Sequence, residues 1–183
     1  MTITNDTTTA PSLHTGTWVI EPAHSEVGFT VRHLGLSKVR GRFNAFSGAA
    51  QITDPATASS VTASIDLSSV DTNNADRDGH LRSGDFFNAE TQPEMRFVST
   101  VVTDDSMTGE LTINGVTKQV ELELDFHGVV VDGYGMTRAG FSADGEIRRS
   151  DFGIDFNMPI GLDGALISDK VTINLEIQLV PQG

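Results

Sequence analysis

Apolar and polar residues alternate along most of this chain, and that pattern constrains its fold more than any motif does. Val27, Phe29, Val31 and His33 fall on one side of such a run, with Glu26, Gly28, Thr30 and Arg32 on the other. A period of two marks a half-buried β-strand, because successive side chains of an extended backbone point to opposite faces. The same pattern predicts strands over 16–20, broken by Pro22, over 39–43, and over 46–52 after a change of phase near Ala45 that signals a bend or bulge. It continues over 60–69, where Val61, Ala63, Ile65 and Leu67 share a side, then through Met95, Phe97 and Ser99, and through Met107, Gly109, Leu111 and Ile113. Asn114-Gly115 predicts a tight hairpin, since both residues tolerate the left-handed backbone of a two-residue turn. Val120, Leu122, Leu124 and Phe126 share a face on the return. Ala139, Phe141, Ala143, Gly145 and Ile147 share one on the next strand, and Val171, Ile173, Leu175, Ile177 and Leu179 close the chain. About eight strands, short turns and no long helix describe an antiparallel sandwich or an up-and-down barrel.

Small residues on the inward faces decide between the two. Gly48 and Ala50, then Ala63, then Ala139, Ala143 and Gly145 stand among large side chains on three strands. A sandwich core is packed solid, whereas a barrel of about eight strands can enclose one small ligand. The expectation is a hollow all-β barrel, with 16–183 as its single domain and 1–15 as a flexible polar tail.

One stretch refuses to alternate. Gly79 to Phe87 sets His80, Arg82 and Asp85 beside Phe86 and Phe87, and follows Asn73-Asn74-Ala75-Asp76, which can cap a short helix. It reads as a lid or brace on the barrel, with the two phenylalanines against the lumen and Arg82 and Asp85 fixing the loop as an ion pair or through backbone hydrogen bonds.

Charge and composition remove several functions. The formal net charge of −13 argues against a nucleic-acid partner, which needs clustered Lys and Arg to neutralise phosphates. It argues equally against general adsorption to anionic membranes. With no cysteine there is no disulfide, thiolate ligand or cysteine nucleophile. No apolar run reaches the ~20 residues of a membrane-spanning helix. Met1 to Thr15 carries no Lys or Arg and no apolar region, so it does not read as a secretory signal, and a cytoplasmic location is expected.

Four segments together resemble the YceI-like, polyisoprenoid-binding family. They are Trp18 to His33 (WVIEPAHSEVGFTVRH), Leu81 to Phe87 with Pro93 to Phe97 (LRSGDFF, PEMRF), Gly109 to Lys118 (GELTINGVTK) and Arg149 to Ile154 (RSDFGI). They stand in the family's order, and the likeness covers about residues 16–181. It implies a lipocalin-like antiparallel barrel with an elongated apolar lumen that holds a long amphiphile, such as a polyisoprenoid or an isoprenoid quinone. It implies no further cofactor. Some members are dimers, so a homodimer is expected by analogy alone.

On that basis the lumen residues are Val27, Phe29, Val31, His33, Val61, Ile65, Phe86, Phe87, Phe97, Leu111, Leu122, Leu124, Phe126, Phe141, Ala143 and Ile147. His33, His80, Arg82 and Arg149 are the candidates for a polar head group at the mouth, although Arg149 also suits a packed turn in which it holds carbonyls. No His-Glu-x-x-His or comparable spacing suggests a metal, and no Gly-x-Ser-x-Gly elbow suggests a nucleophile. Non-catalytic carriage or storage of a lipid is the expectation. Its rivals are an enzyme for a lipophilic substrate, with His33, His80 and Asp85 converging as acid and base groups, and a filled barrel that binds protein through an exposed apolar patch.

Overall fold

The computed structural model describes residues 12–160 and 164–183. Its strands are β1 (Gly16–Ile20), β2 (Glu26–His33), β3 (Ser37–Phe43), β4 (Phe46–Ile52), β5 (Ser60–Asp66), β6 (Val70–Asp71), β7 (Glu94–Val102), β8 (Ser106–Ile113), β9 (Val116–Val131), β10 (Thr137–Arg148), β11 (Pro159–Ile160), β12 (Gly164–Ala165) and β13 (Ile167–Pro181). All but β11 and β12 belong to one antiparallel sheet, which closes where β13 meets β1. The closure is a property of β13. Its last residues pair with β1 (Ile20↔Leu179) and its earlier ones with β2 (Glu26↔Glu176 to His33↔Ile167). β1 and β2 are thus two halves of one bent stave, and β3 with β4 and β5 with β6 behave likewise. Eight staves result, as the alternation predicts.

Each bend has a local cause. Pro22 has no N–H to give the ladder, and the chain turns through a 3₁₀ turn over Pro22–His24. Glu21 and Ser25 keep hold of the same β13 residue on either side, through Gln178 O (2.9 Å) and Gln178 N (3.0 Å). The break near Ala45 is a stop between strands, not a bulge. Ser69 fills it, bonding Asn44 N through its carbonyl (3.1 Å) and Ala45 N through its hydroxyl (3.0 Å). For the same reason the strand expected over 60–69 ends at Asp66, and Leu67–Ser69 form a 3₁₀ turn capped by the Asp66 carboxylate. Leu67 is nevertheless fully buried.

Two one-residue bulges were not legible in the alternation, nor was a larger irregularity on β13 between Ile167 and Val171. Phe141 faces Phe126 while Gly140 faces Gly128, so His127 is an extra residue on β9. On β7, Thr100 is extra between the Ser99↔Gly109 and Val101↔Thr108 pairs. Each shifts the inward parity by one, which leaves Val101 exposed and brings Val102 to the interior.

Two residues inside the tail expected over 1–15 are held by the barrel. Leu13 packs against the cluster of Trp18, Ala50, Ala139 and Leu179, and Trp18 Nε1 donates to His14 O (2.9 Å). Residues 1–11 lie outside the described residues.

The non-alternating stretch is the helix α1 (Ala75–Arg82) and the loop after it. Asn74 is the cap, its side chain accepting from Arg77 N (3.0 Å). No apolar stripe holds this helix down. Instead the buried Asp78 carboxylate accepts from Thr72 N (2.9 Å) and Thr72 Oγ1 (2.5 Å), tying α1 to the end of β6. The loop returns through main-chain bonds, Phe87 N to Leu81 O (3.0 Å) and Ala89 N to Arg82 O (2.9 Å). β5 and β7 part after the Asp66↔Glu94 pair, and α1 and its loop occupy the gap.

Candidate ligand cavity

The barrel encloses a cavity of about 390 Å³. Its lining runs from Ser59, Thr103 and Asp104, in loops at one end, to Arg149, Phe152 and Ile154 at the other. Every stave contributes apolar side chains in register: Val61↔Ala50, Phe97↔Leu111 and Ala143↔Leu175 are examples. Among the described residues only Asp104 and Arg149 bring a charged side chain to this wall.

Most of the sequence-predicted set meets here. Val27, Phe29, Val31, Val61, Ile65, Phe86, Phe87, Phe97, Leu111, Leu122, Leu124, Phe126, Phe141, Ala143 and Ile147 all line the cavity. His33 does not. It is half-buried at the end of β2, paired with Ser37 and Ile167, and of these three only Ile167 reaches the cavity. Parity gives a side of the strand but not how far along it the cavity extends.

His80 and Arg82 also lie off the wall. His80 is exposed, bonded through Nε2 to Asp85 Oδ2 (2.8 Å) and packed edge-on against Phe86 and Phe156. Asp85 therefore pairs with His80, not with Arg82, which has no ion pair among the described residues. The expected Arg82–Asp85 brace is replaced by main-chain bonds. Nor do His33, His80 and Asp85 converge, since His33 bonds neither of the others and the His80–Asp85 pair faces solvent.

Arg149 does reach the cavity, and its bonds show why it is there. The buried guanidinium donates to four carbonyls: Nε to Ser168 O (3.0 Å), Nη1 to Ile154 O (2.9 Å) and Phe156 O (2.8 Å), and Nη2 to Ile167 O (3.3 Å). It fastens both ends of the 154–168 connection across the barrel floor. Burial lowers its pKa, with Asp169 and Asp155 working against that. Asp169 is itself pushed up by burial, but two bonds from Ser150 and the charges of Arg149 and Arg148 outweigh this and hold it below its ordinary value.

The small inward residues divide into two groups. Ala50, Ala63 and Ala143 open onto the cavity. Gly48 and Gly145 do not, because a Cβ on either would stand 2.6 Å from Ile20 Cδ1 or Leu122 Cδ2. Ala139 is packed beside Trp18. Two other glycines lie directly beneath aromatic rings, Gly41 under Phe29 and Gly109 under Phe97. Large side chains of the wall reclaim the space those glycines leave.

Beyond the predicted set, Ile20, Phe43, Met95, Met107 and the β13 row from Ile167 to Leu179 also line the cavity. Parity marks Val171 to Leu179 of that row as inward, but not Ile167. Phe152 and Ile154 lie in the connection after β10, where no period exists to find them.

An eight-stave antiparallel barrel closed around an apolar cavity defines a lipocalin-like binding barrel. The chain belongs to the YceI-like family, whose YceI-like domain matches residues 18–179. Protein YceI of Escherichia coli O157:H7 is 45% identical over 140 residues, 73% of each chain. Among solved structures, a YCEI protein of Campylobacter jejuni superposes with a TM-score of 0.69 at 34% identity, over 89% of this chain and 96% of that one. A polyisoprenoid binding domain from Saccharophagus degradans, implicated in plant cell wall breakdown, shares the fold with a TM-score of 0.67 at 16% identity, covering 92% of this chain and all of that one.

Proposed function

We propose that this protein binds, stores or carries one long-chain isoprenoid lipid, a polyisoprenoid or an isoprenoid quinone, inside its barrel and without chemical conversion. The observation that carries the reading is the cavity itself, long, continuous and almost wholly apolar. Its β13 lining runs from Ile167 to Leu179. At roughly 3.3 Å per residue and a tilt near 40°, with two residues taken up by the irregularity between Ile167 and Val171, that is about 25 Å along the barrel axis. A branched hydrocarbon chain suits such a space, each buried CH₂ or methyl contributing about 0.8 kcal/mol. No specific polar contact is needed for tight binding, and chain length is selected by depth. Arg149, the one cation on the wall, already gives four of its N–H groups to carbonyls, which suits a structural role better than acid–base chemistry.

Native mass spectrometry of gently purified protein, followed by organic extraction, tests this. A bound prenyl lipid and a matching mass shift are expected. Protein that carries no lipid from several hosts, and that takes up no added prenyl chain, would refute it.

A further inference from the structure

We propose that the β2–β3 hairpin is a docking tip for an anionic lipid bilayer, inserting Leu34 and Leu36 while Arg32, Lys38 and Arg40 meet the head groups. This deepens the lipid-carrier reading by naming where such a carrier meets a membrane.

The first observation is an exposed apolar tip on a strained turn, which Leu34 N to Leu166 O (2.9 Å) ties to the barrel. Leu34 (φ 56°) and Gly35 (φ 67°) form a two-residue turn closed by Leu36 N to His33 O (3.0 Å). The β8–β9 turn has the same pair of left-handed residues, Asn114 (φ 53°) and Gly115 (φ 74°), between Ile113 and Val116, whereas the β2–β3 loop adds Leu36 before the His33↔Ser37 pair. Asn is favoured at the first position because its short side chain tolerates the left-handed region, and a bulky Leu is disfavoured there. Yet Leu34 is partly exposed and its neighbour Leu36 is 82% exposed. Leu36 therefore earns almost no burial within the monomer and Leu34 only part of its own, so the tip of a strained turn keeps apolar surface that an external partner can cover.

Charge says which partner. Residues 32–42 hold four of the chain's twelve Lys and Arg and none of its 25 Asp and Glu. Arg32 faces Lys38 across the ladder, and Arg40 and Arg42 follow on the same outer face. Arg42 leans on Asp71 at 3.7 Å, whereas Arg32, Lys38 and Arg40 make no ion pair among the described residues. An open groove of about 420 Å³ beside Lys38 and Arg40 is edged by Thr30, Thr172 and Asn174, with Glu26 as its one carboxylate against the two cations. Net charge opposes adsorption of the molecule as a whole. At physiological salt, however, charges act over about 8 Å, so the tip responds to its own basic collar. The opposite end of the barrel also exposes apolar residues, Tyr134 among them, but there the charged residues of the turn, Asp132 and Arg138, bond each other at 2.8 Å. That end has no cationic excess to match an anionic surface.

The test is co-sedimentation of the full chain with phosphatidylglycerol-containing vesicles against pure phosphatidylcholine vesicles, at low and high salt. Wild type should partition onto the anionic vesicles alone, and less as salt rises. Leu34→Asn should raise thermal stability by relieving the turn while lowering partitioning roughly tenfold or more. Lys38→Gln and Arg40→Gln should each lower it roughly fivefold, and Tyr134→Asp should leave it unchanged. Wild-type protein that ignores anionic vesicles, binds neutral ones equally, or binds polyglutamate beads but not vesicles would overturn the proposal. So would a Leu34→Asn variant that is stabilised yet binds as wild type does. Native mass spectrometry of the same samples reads the lumen separately. A loaded barrel that ignores vesicles refutes docking alone, while an empty barrel that still sediments supports docking and counts against the carrier reading.

Discussion

Replacing Ala143 with leucine separates an open cavity from a filled core by the signs of two measurements. Ala143 is buried in the middle of β10, between Leu124 and Leu175, and its methyl group faces the cavity. Leucine adds three carbons there. In the ligand-free protein they enter empty space, so the substitution should stabilise by about 1–2 kcal/mol, the usual gain from filling a cavity. For a domain of this size that raises Tm by roughly 2–8 °C. In the loaded protein the same three carbons displace about three ligand CH₂ groups, a loss near 2.4 kcal/mol or roughly fiftyfold in affinity for a chain that reaches this depth. Shorter chains should lose less, so the extracted lipid should shift toward them. Thermal melts of stripped protein give the first quantity, and titration with prenyl chains of graded length gives the second. If the stripped variant is less stable than wild type by more than about 1 kcal/mol, leucine is overpacking a solid core, and the hollow-barrel reasoning fails. An unchanged lipid profile would show that the ligand does not reach Ala143.

Other expectations follow from the same contacts. Arg149→Met should strand four carbonyls over the barrel floor and cost about 3 kcal/mol, a fall in Tm of roughly 6–12 °C by calorimetry; a change under 2 °C would mean the connection holds without it. Gly109→Ala should drive its Cβ into the Phe97 ring and cost about 1–3 kcal/mol, and Phe97→Ala in the same chain should recover part of that in a double-mutant cycle. The Asp132 carboxyl is held below its ordinary range by the Arg138 guanidinium and then by the Met136 and Tyr134 amides. A lowered native pKa stabilises fully above the ordinary Asp value and loses that contribution as pH falls through the native one. Asp132→Asn should therefore lower stability at neutral pH and flatten its decline between about pH 4 and pH 2; equal slopes for variant and wild type would contradict the assignment.

The sequence by itself determined the strands and which side of each faces inward. Alternation depends on local chain geometry alone, and β1 begins and ends where it says. It also placed fifteen of its sixteen lumen residues correctly on the wall, and the Asn74 cap on a short helix. Only the tertiary structure decided the rest. His33 has the right parity and pairs with Ile167 of the wall, yet stays off the wall itself, and the outline of a cavity depends on all eight staves at once. Bulges at Thr100 and His127 are set by partner strands and leave no local mark on the period. Asp85 chose His80 over Arg82 because the loop's path brings His80 within reach, and Gly48 and Gly145 turned out filled because Ile20 and Leu122 reach across from neighbouring strands. Where energy depends on the next residue along the chain, the sequence is legible. Where it depends on what the fold brings alongside, as with the exposed leucines and basic collar of the β2–β3 tip in an acidic protein, only the assembled barrel shows it.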